Sequence, residues 1–321
     1  MNIRQDFRHT LCASFVGYIV QAIINNFAPL LFLTFQTTYA ISLDRIALLV
    51  TFNFGIQLVV DVLAAKFVDK IGYRTCVVAA HLFSAAGLVG LTLLPEWFGD
   101  PYAGLLAATV LYAVGGGLIE VLISPIVEAC PTERKEATMS LLHSFYCWGH
   151  VAVVLLSTAF FALFGIANWK ILALIWAAVP LINTFYFSQV PLRTLQEEAQ
   201  GLPIRKLAGM RIFWIMLLMM LCAGASEQAV IQWASAFAEA GLGVTKTVGD
   251  LAGPCAFALL MGAARVFYAK CSERIRLLPF MLFSTLLCIA SYLLISLSSS
   301  PVLSLLGCAL CGLSVGILWP G

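Results

Sequence analysis

Charge is the scarce commodity in this chain: 11% of its 321 residues are Asp, Glu, Lys or Arg. A soluble domain carries roughly 25%, and 61% hydrophobic residues could not be hidden inside a water-surrounded core of this size. Alternating apolar and polar residues over strand-length stretches are also missing, which excludes a barrel whose two faces meet lipid and water. A long polar segment able to fold into a separate domain is missing too. No glycine-rich phosphate loop, second CxxC pair or nucleophile–histidine–acid pattern occurs, so nucleotide-driven pumping and enzymatic chemistry have no support, and no cofactor or metal is expected.

What remains is a series of long apolar runs. About 20 such residues cross a bilayer as a helix, and a helix satisfies its own backbone there. Ten segments qualify, near 10–36, 43–65, 75–94, 102–127, 137–164, 169–188, 211–238, 247–269, 276–297 and 300–321. The expected class is therefore an all-α membrane protein whose main surrounding partner is the lipid bilayer. The first segment follows Arg4 and Arg8, but it is too long for a secretory signal and lacks a small-x-small cleavage site.

Drawn this way, the spans sort the basic residues by side. Fifteen of the 18 fall on one side: Arg4, Arg8, Lys66, Lys70, Arg74, Arg134, Lys135, Arg193, Arg205, Lys206, Arg211, Arg265, Lys270, Arg274 and Arg276. Only Arg45, Lys170 and Lys246 face the other way, which predicts a cytoplasmic N-terminus. The formal charge of +2 thus encodes topology, and nucleic acid is not an expected partner. Nine of the ten cysteines lie in or at the ends of apolar segments and read as packing residues; Cys308 and Cys311 form a CxxC inside the last one.

The longest polar stretch, with Glu197, Glu198, Arg205 and Lys206, divides the chain into a six-span bundle at 1–190, a cytoplasmic linker at 191–210 and a four-span bundle at 211–321. Two short matches relate the bundles. Ala65-Lys66-Phe67-Val68-Asp69-Lys70-Ile71 is echoed by Ala269-Lys270-Cys271-Ser272-Glu273-Arg274-Ile275, and Gly117-Leu118 before Pro125 by Gly312-Leu313 before Pro320. Both offsets are roughly 200 residues, as a parallel duplication would give. Six spans per half would then be expected, so the chain reads as lacking its last two helices.

Polar residues inside spans are costly and concentrate at functional positions. Glu120 follows Gly115-Gly116-Gly117 in the fourth span and reads either as a cavity carboxylate that takes a proton or a sugar hydroxyl, or as a structural carboxyl bonded to a neighbouring helix. Ser226-Glu227-Gln228 and Gln232-Trp233 mark the seventh span, with Gln228 and Gln232 four residues apart on one face. By the repeat, this patch corresponds to Gln21, Asn25 and Asn26 of the first span. Amides donate and accept, and indoles stack on sugar faces, so the lining suits a neutral polar solute; interhelical hydrogen bonding explains it equally. His143 could shuttle a proton or simply be a satisfied buried residue, and His150 lies seven residues on along roughly the same face. His9 and His81 read as terminal and packing residues. Asp61 is expected to pair with Lys66 or Arg265 near the cytoplasmic edge. Trp319 and Pro320 correspond by symmetry to Ser124 and Pro125.

The loop after the second span, Ala65-Lys66-Phe67-Val68-Asp69-Lys70-Ile71-Gly72-Tyr73-Arg74, resembles the Gly-x-Leu-Ala-Asp-Arg-x-Gly-Arg-Arg signature of the major facilitator superfamily. Ala65 replaces the first glycine. Within that superfamily the chain is similar to the proton-coupled fucose and hexose permease branch at Asn25-Asn26-Phe27, at Glu120 before Pro125, and at Leu142-His143-Ser144-Phe145. The acidic residue after the paired asparagines of that branch falls near Pro29, which excludes coupling there, and the drug-antiporter signatures of the fourth and fifth spans are missing.

The resemblance implies two helical bundles and a monomeric secondary transporter in the plasma or inner membrane. Such a transporter moves a small sugar-like solute, with protons, by alternating access. Its substrate contacts would be Asn25, Asn26, Glu120, His143, Gln228, Gln232 and Trp233, and its proton carriers Glu120 and Glu227. A conformational latch would comprise Asp69, Lys70, Gly72 and Arg74; its partner surface in the superfamily includes the eleventh helix. Rival readings are a drug or metabolite exporter of the same fold and a non-transporting fragment.

Overall fold

The structure is a computed structural model that describes residues 3–132, 135–193, 204–271 and 276–318. Arg134, Glu197, Glu198, the repeat residues 272–275, and Trp319 and Pro320 lie outside the described residues. All regular structure among the described residues is helical, in two compact units, Met1–Leu195 and Gln196–Gly321.

Unit 1 holds six spans: α1 (Phe7–Tyr39), α2 (Leu43–Ile71), α3 (Tyr73–Trp97), α4 (Pro101–Glu128), α5 (Lys135–Phe164) and α6 (Trp169–Gln189). Unit 2 holds four: α7 (Arg211–Gly241), α8 (Lys246–Cys271), α9 (Leu277–Leu297) and α10 (Pro301–Val315), after a single helical turn at Ile204–Ala208. Nine of these are long and apolar enough to cross a membrane. The tenth expected span, 300–321, is an α-helix only over the 15 residues of α10, with a turn at 316–318. Rows of exposed aliphatic side chains, such as Leu58, Val59, Val62 and Leu63 on α2 and Leu278, Leu282, Leu286 and Ile289 on α9, supply the faces that hydrocarbon would cover.

Helix ends follow from local chemistry. Asp6, Ser42 and Asp100 accept hydrogen bonds from the backbone N–H groups of Arg8, Arg45 and Tyr102, capping α1, α2 and α4. Gly72 stops α2 with φ at 95°, a region open to glycine at little cost, and so allows an immediate turn into α3. The first span is not one continuous helix. Pro29 has no N–H to donate, and the chain tightens into a 3₁₀ turn over Ala28–Leu31 before resuming at Phe32. Pro254 has a similar effect in α8, which passes through a π-helical turn at Leu251–Cys255. A second π turn, Phe237–Gly241, ends α7.

Helices in lipid gain no hydrophobic drive from one another, so close packing through small residues takes its place. The three consecutive glycines of α4 each meet a different neighbour. A Cβ on Gly115 would strike Ser84 and the Ala80 carbonyl of α3. On Gly116 it would stand 2.9 Å from Ile24 of α1, and on Gly117 2.9 Å from Val60 and 3.0 Å from the Gln57 carbonyl of α2. α4 is thereby held against three helices at one level. Unit 2 repeats the device: Gly312 and Gly316 at the end of α10 lie on the Phe257 and Met261 carbonyls of α8.

Candidate functional site

The glycine contacts bring α1 and α2 against α4, and polar side chains fill the seam. Gln57 of α2 is the hub. Its Nε2 donates to Asn53 Oδ1 at 2.9 Å and to Asn25 Oδ1 at 3.1 Å, while its Oε1 accepts from Gln21 Nε2 at 3.4 Å. Asn53 Nδ2 also donates to Asn25 Oδ1, and Gln21 Nε2 reaches Glu120 Oε2, each at 3.4 Å. The four amides are buried, whereas Glu120 is exposed. A carboxylate on the accessible face of a spanning helix costs about 2.5–3.5 kcal/mol at mid-bilayer unless that face is wet or polar.

Asn25 and Glu120 are therefore linked through Gln57 and Gln21. Asn26 behaves differently: its Nδ2 donates to the Ala22 carbonyl of its own helix at 2.8 Å, and its buried Oδ1 has no partner among the described residues. Gln21 Oε1 is likewise buried without a partner. Buried acceptors are nearly always satisfied, so both are exceptions among the described residues. His143 of α5 meets the same bundle one turn away, its ring set edge-on to Tyr18 at 5.4 Å, and Tyr18 hydroxyl lies 3.0 Å from Ser124 Oγ of α4. His150 is fully buried, with neither ring nitrogen hydrogen-bonded among the described residues. His81 is a satisfied packing residue, between the Val77 carbonyl and Asn183.

Asn53 and Gln57 are the functional candidates that sequence reasoning passes over. Averaged hydropathy conceals them within the 43–65 run. The available signal is their spacing, since Asn53, Gln57 and Asp61 recur every fourth residue along a single stripe of α2.

Unit 2 carries its own polar centre. Glu227 of α7 is buried, and its Oε2 lies 3.7 Å from Arg265 Nη2 of α8; Arg265 Nε donates to the Gly316 carbonyl at 3.1 Å. Arg265, one of the two bases expected beside Asp61 with Lys66, pairs with Glu227 inside unit 2. Gln232 Nε2 donates to Gln228 Oε1 at 3.4 Å, placing both on one face beside the half-buried Trp233. Lys246, expected in an exposed loop, instead begins α8 and bridges Glu239 and Asp250, each at 3.2 Å; Asp250 also accepts from Ser235 Oγ at 2.5 Å.

Of the signature loop, Asp69 and Lys70 are exposed and Gly72 forms the turn. Arg74 is engaged within unit 1. It donates to the carbonyls of Phe187, Ser188 and Val190 at 2.8, 2.9 and 2.8 Å, closing the C-terminus of α6. Arg4 donates to Gln189 Oε1, and Thr10 Oγ1 to the Pro191 carbonyl, at the same end.

The sequence model described as Major Facilitator Superfamily matches residues 10–321. The chain belongs to that superfamily. Membership sets it among transporters rather than enzymes and makes the six-helix unit 1 and four-helix unit 2 parts of a major facilitator fold. Solved structures share that fold at low identity. A D-xylose–proton symporter aligns with TM-score 0.72 and 12% identity over 97% of this chain and 80% of its own. A bacterial homologue of the human lysosomal transporter Spinster, inward-facing and occupied, aligns with TM-score 0.72 and 16% identity over 97% and 72%. The xylose transporter XylE from E. coli, inward open, gives 0.70 and 12% over 98% and 80%. No curated protein matches the chain in sequence.

Proposed function

We propose that this major facilitator chain is a secondary active transporter that moves a small polyhydroxylated solute together with a proton by alternating access. The observation that carries the reading is the three-helix network of Gln21, Asn25, Asn53, Gln57 and Glu120, in which the buried acceptor Gln21 Oε1 has no partner among the described residues. Solute hydroxyls are the donors such acceptors require, and amides answer both the donor and the acceptor side of a sugar O–H. The resemblance of fold to a D-xylose–proton symporter accords with this chemistry.

In this reading Glu120 carries the proton, because it is the exposed carboxyl joined to the amide network through Gln21. Glu227 is the second candidate carrier, and proton arrival there would free Arg265. Asn25, Asn26 and His143 from unit 1 and Gln228, Gln232 and Trp233 from unit 2 supply contacts. Asp69, Lys70, Gly72 and Arg74 form the conformational latch. The chain sits in the plasma or inner membrane, with its N-terminus in the cytoplasm.

The test is uptake of labelled D-xylose, L-fucose and inositol into proteoliposomes under an imposed inward proton gradient. Accumulation that collapses with a protonophore, and that Glu120→Gln abolishes, is expected. Net efflux instead of uptake would select the exporter reading, and gradient-independent equilibration would remove the proton from the scheme.

A further inference from the structure

A short turn joins α9 to α10, so the two helices run antiparallel. Their contact is set by Gly307 of α10, where an added Cβ would stand 2.8 Å from Ile295 Cγ1 and 3.0 Å from the Ser291 carbonyl of α9. Small residues at such a crossing let helices in lipid approach backbone to backbone. One turn back from Ser291 along α9 is Cys288, and one turn forward from Gly307 along α10 is Cys311. Ser284, Cys288 and Ser291 form the buried stripe of α9, and Ser291 marks where that stripe meets α10.

The side chains meet as that register requires. The Cys288 and Cys311 thiols hydrogen-bond to each other across the seam. Cys311 Sγ lies 4.0 Å from the Ser226 carbonyl of α7, which also accepts from the Tyr292 hydroxyl of α9 at 2.8 Å. Three helices thus close around one pair of thiols, both of them free. The hydroxyls of Ser226 and Ser314 border Cys288, so its sulfur sits among polar groups. Cys308 lies one turn earlier on α10, buried beside the pair. A disulfide needs Cα atoms about 4.4–6.8 Å apart, a separation that helices reach where small residues let their backbones approach.

We infer that Cys288 and Cys311 are a redox-active dithiol, which an organic hydroperoxide closes to a disulfide that joins α9 to α10. Cys288 stands near the middle of a membrane-length helix, so the oxidant must be one that partitions into a bilayer. The two thiols take different parts, because Cys288 retains 6% exposure and Cys311 none. Cys288 sulfur attacks the terminal peroxide oxygen: an S–O bond forms, the O–O bond breaks, and the alkoxide leaves as an alcohol with the Cys288 proton. Cys311 sulfur then attacks Cys288 sulfur. The S–S bond forms, the S–O bond breaks, and the hydroxide leaves as water with the Cys311 proton. Two thiols and one hydroperoxide give one disulfide, one alcohol and one water, the sulfur pair losing the two electrons that the peroxide gains. Neither the solute nor the proton of the proposed transport cycle takes part.

The test treats the purified full chain in liposomes with cumene hydroperoxide, then denatures it, alkylates it with iodoacetamide and digests it with trypsin. The peptide that follows Arg276 carries Cys288, Cys308 and Cys311. By mass spectrometry the untreated wild type is expected to bear an alkyl group on each of them, and the treated protein on Cys308 alone. Dithiothreitol should restore the other two. Cys308→Ser should still form the bond, whereas Cys288→Ser and Cys311→Ser should each prevent it. Full alkylation of the treated wild type, a bond between Cys308 and Cys311, or sulfinic acid on an unlinked Cys288 would each overturn the dithiol. The wild-type arm decides the matter even where a variant fails to fold.

Discussion

Unit 1 and unit 2 hold their polar groups in the membrane by different means. Where Gly117 of α4 lies on the Gln57 carbonyl of α2, Gly316 at the end of α10 lies on the Met261 carbonyl of α8, so the two helix pairs are built on one plan. The stripes on that plan differ. In α2 it reads Asn53, Gln57, Asp61; in α8 it reads Phe257, Met261, Arg265, with Phe257 and Met261 fully buried and Arg265 facing Glu227. At this level unit 1 thus distributes amide donors and acceptors over three helices, whereas unit 2 sets opposite charges against each other in Glu227 and Arg265. A neutral network can exchange partners with a solute hydroxyl at small cost. An ion pair resists rearrangement, because a lone partner left in low dielectric is expensive.

The contrast can be broken most severely at the plan itself. Gly117→Val and Gly312→Val each push a branched side chain into backbone, and overpacking of this kind costs about 1–3 kcal/mol or more. Neither variant is expected to elute as a monodisperse species after detergent extraction; normal elution of one would show that its unit does not depend on the glycine contact. Next comes the charge pair. Arg265→Met leaves Glu227 buried without its counter-ion and is expected to destabilise unit 2 by about 3–5 kcal/mol, while the double variant Glu227→Gln with Arg265→Met returns most of that loss. Thermal unfolding in detergent would measure both, and equal losses for the single and double variants would contradict a pair. The smallest stability effect is expected in unit 1. Gln57→Leu removes hydrogen bonds worth about 0.6 kcal/mol each on average in membranes, yet it should lower solute transport at least tenfold. Asn26→Ala, whose Nδ2 serves its own helix, should lower transport less than Asn25→Ala does, and the reverse order would relocate the site on α1.

How much of this was legible beforehand differs between fold and site. Helical class and span positions follow from the apolar runs, because lipid leaves the backbone few alternatives. The interruption of α1 was within reach, since Pro29 cannot donate to the ladder, but a hydropathy window averages across it. Asn25 and Glu120 stand out as isolated polar residues, whereas Asn53 and Gln57 are diluted by the valines and leucines around them. The Lys246–Asp250–Glu239 cluster was least legible. Glu239 sits in the π turn Phe237–Gly241, across a loop from Lys246 and Asp250, and nothing in residue type alone specifies a π turn there. Gly312 and Gly316 resemble ordinary small residues until the carbonyls beneath them are known.

The closure of α6 by Arg74 has a mechanical consequence. Phe187, Ser188 and Val190 are held by Arg74 and the Pro191 carbonyl by Thr10, so the chain leaves unit 1 from a point fastened at once to the start of α3 and the first turn of α1. A pull along the segment that follows is delivered to the α2–α3 turn at Gly72 rather than absorbed by fraying of α6. That turn is the anchor of the tether, and any displacement of unit 1 by its own connecting segment begins there.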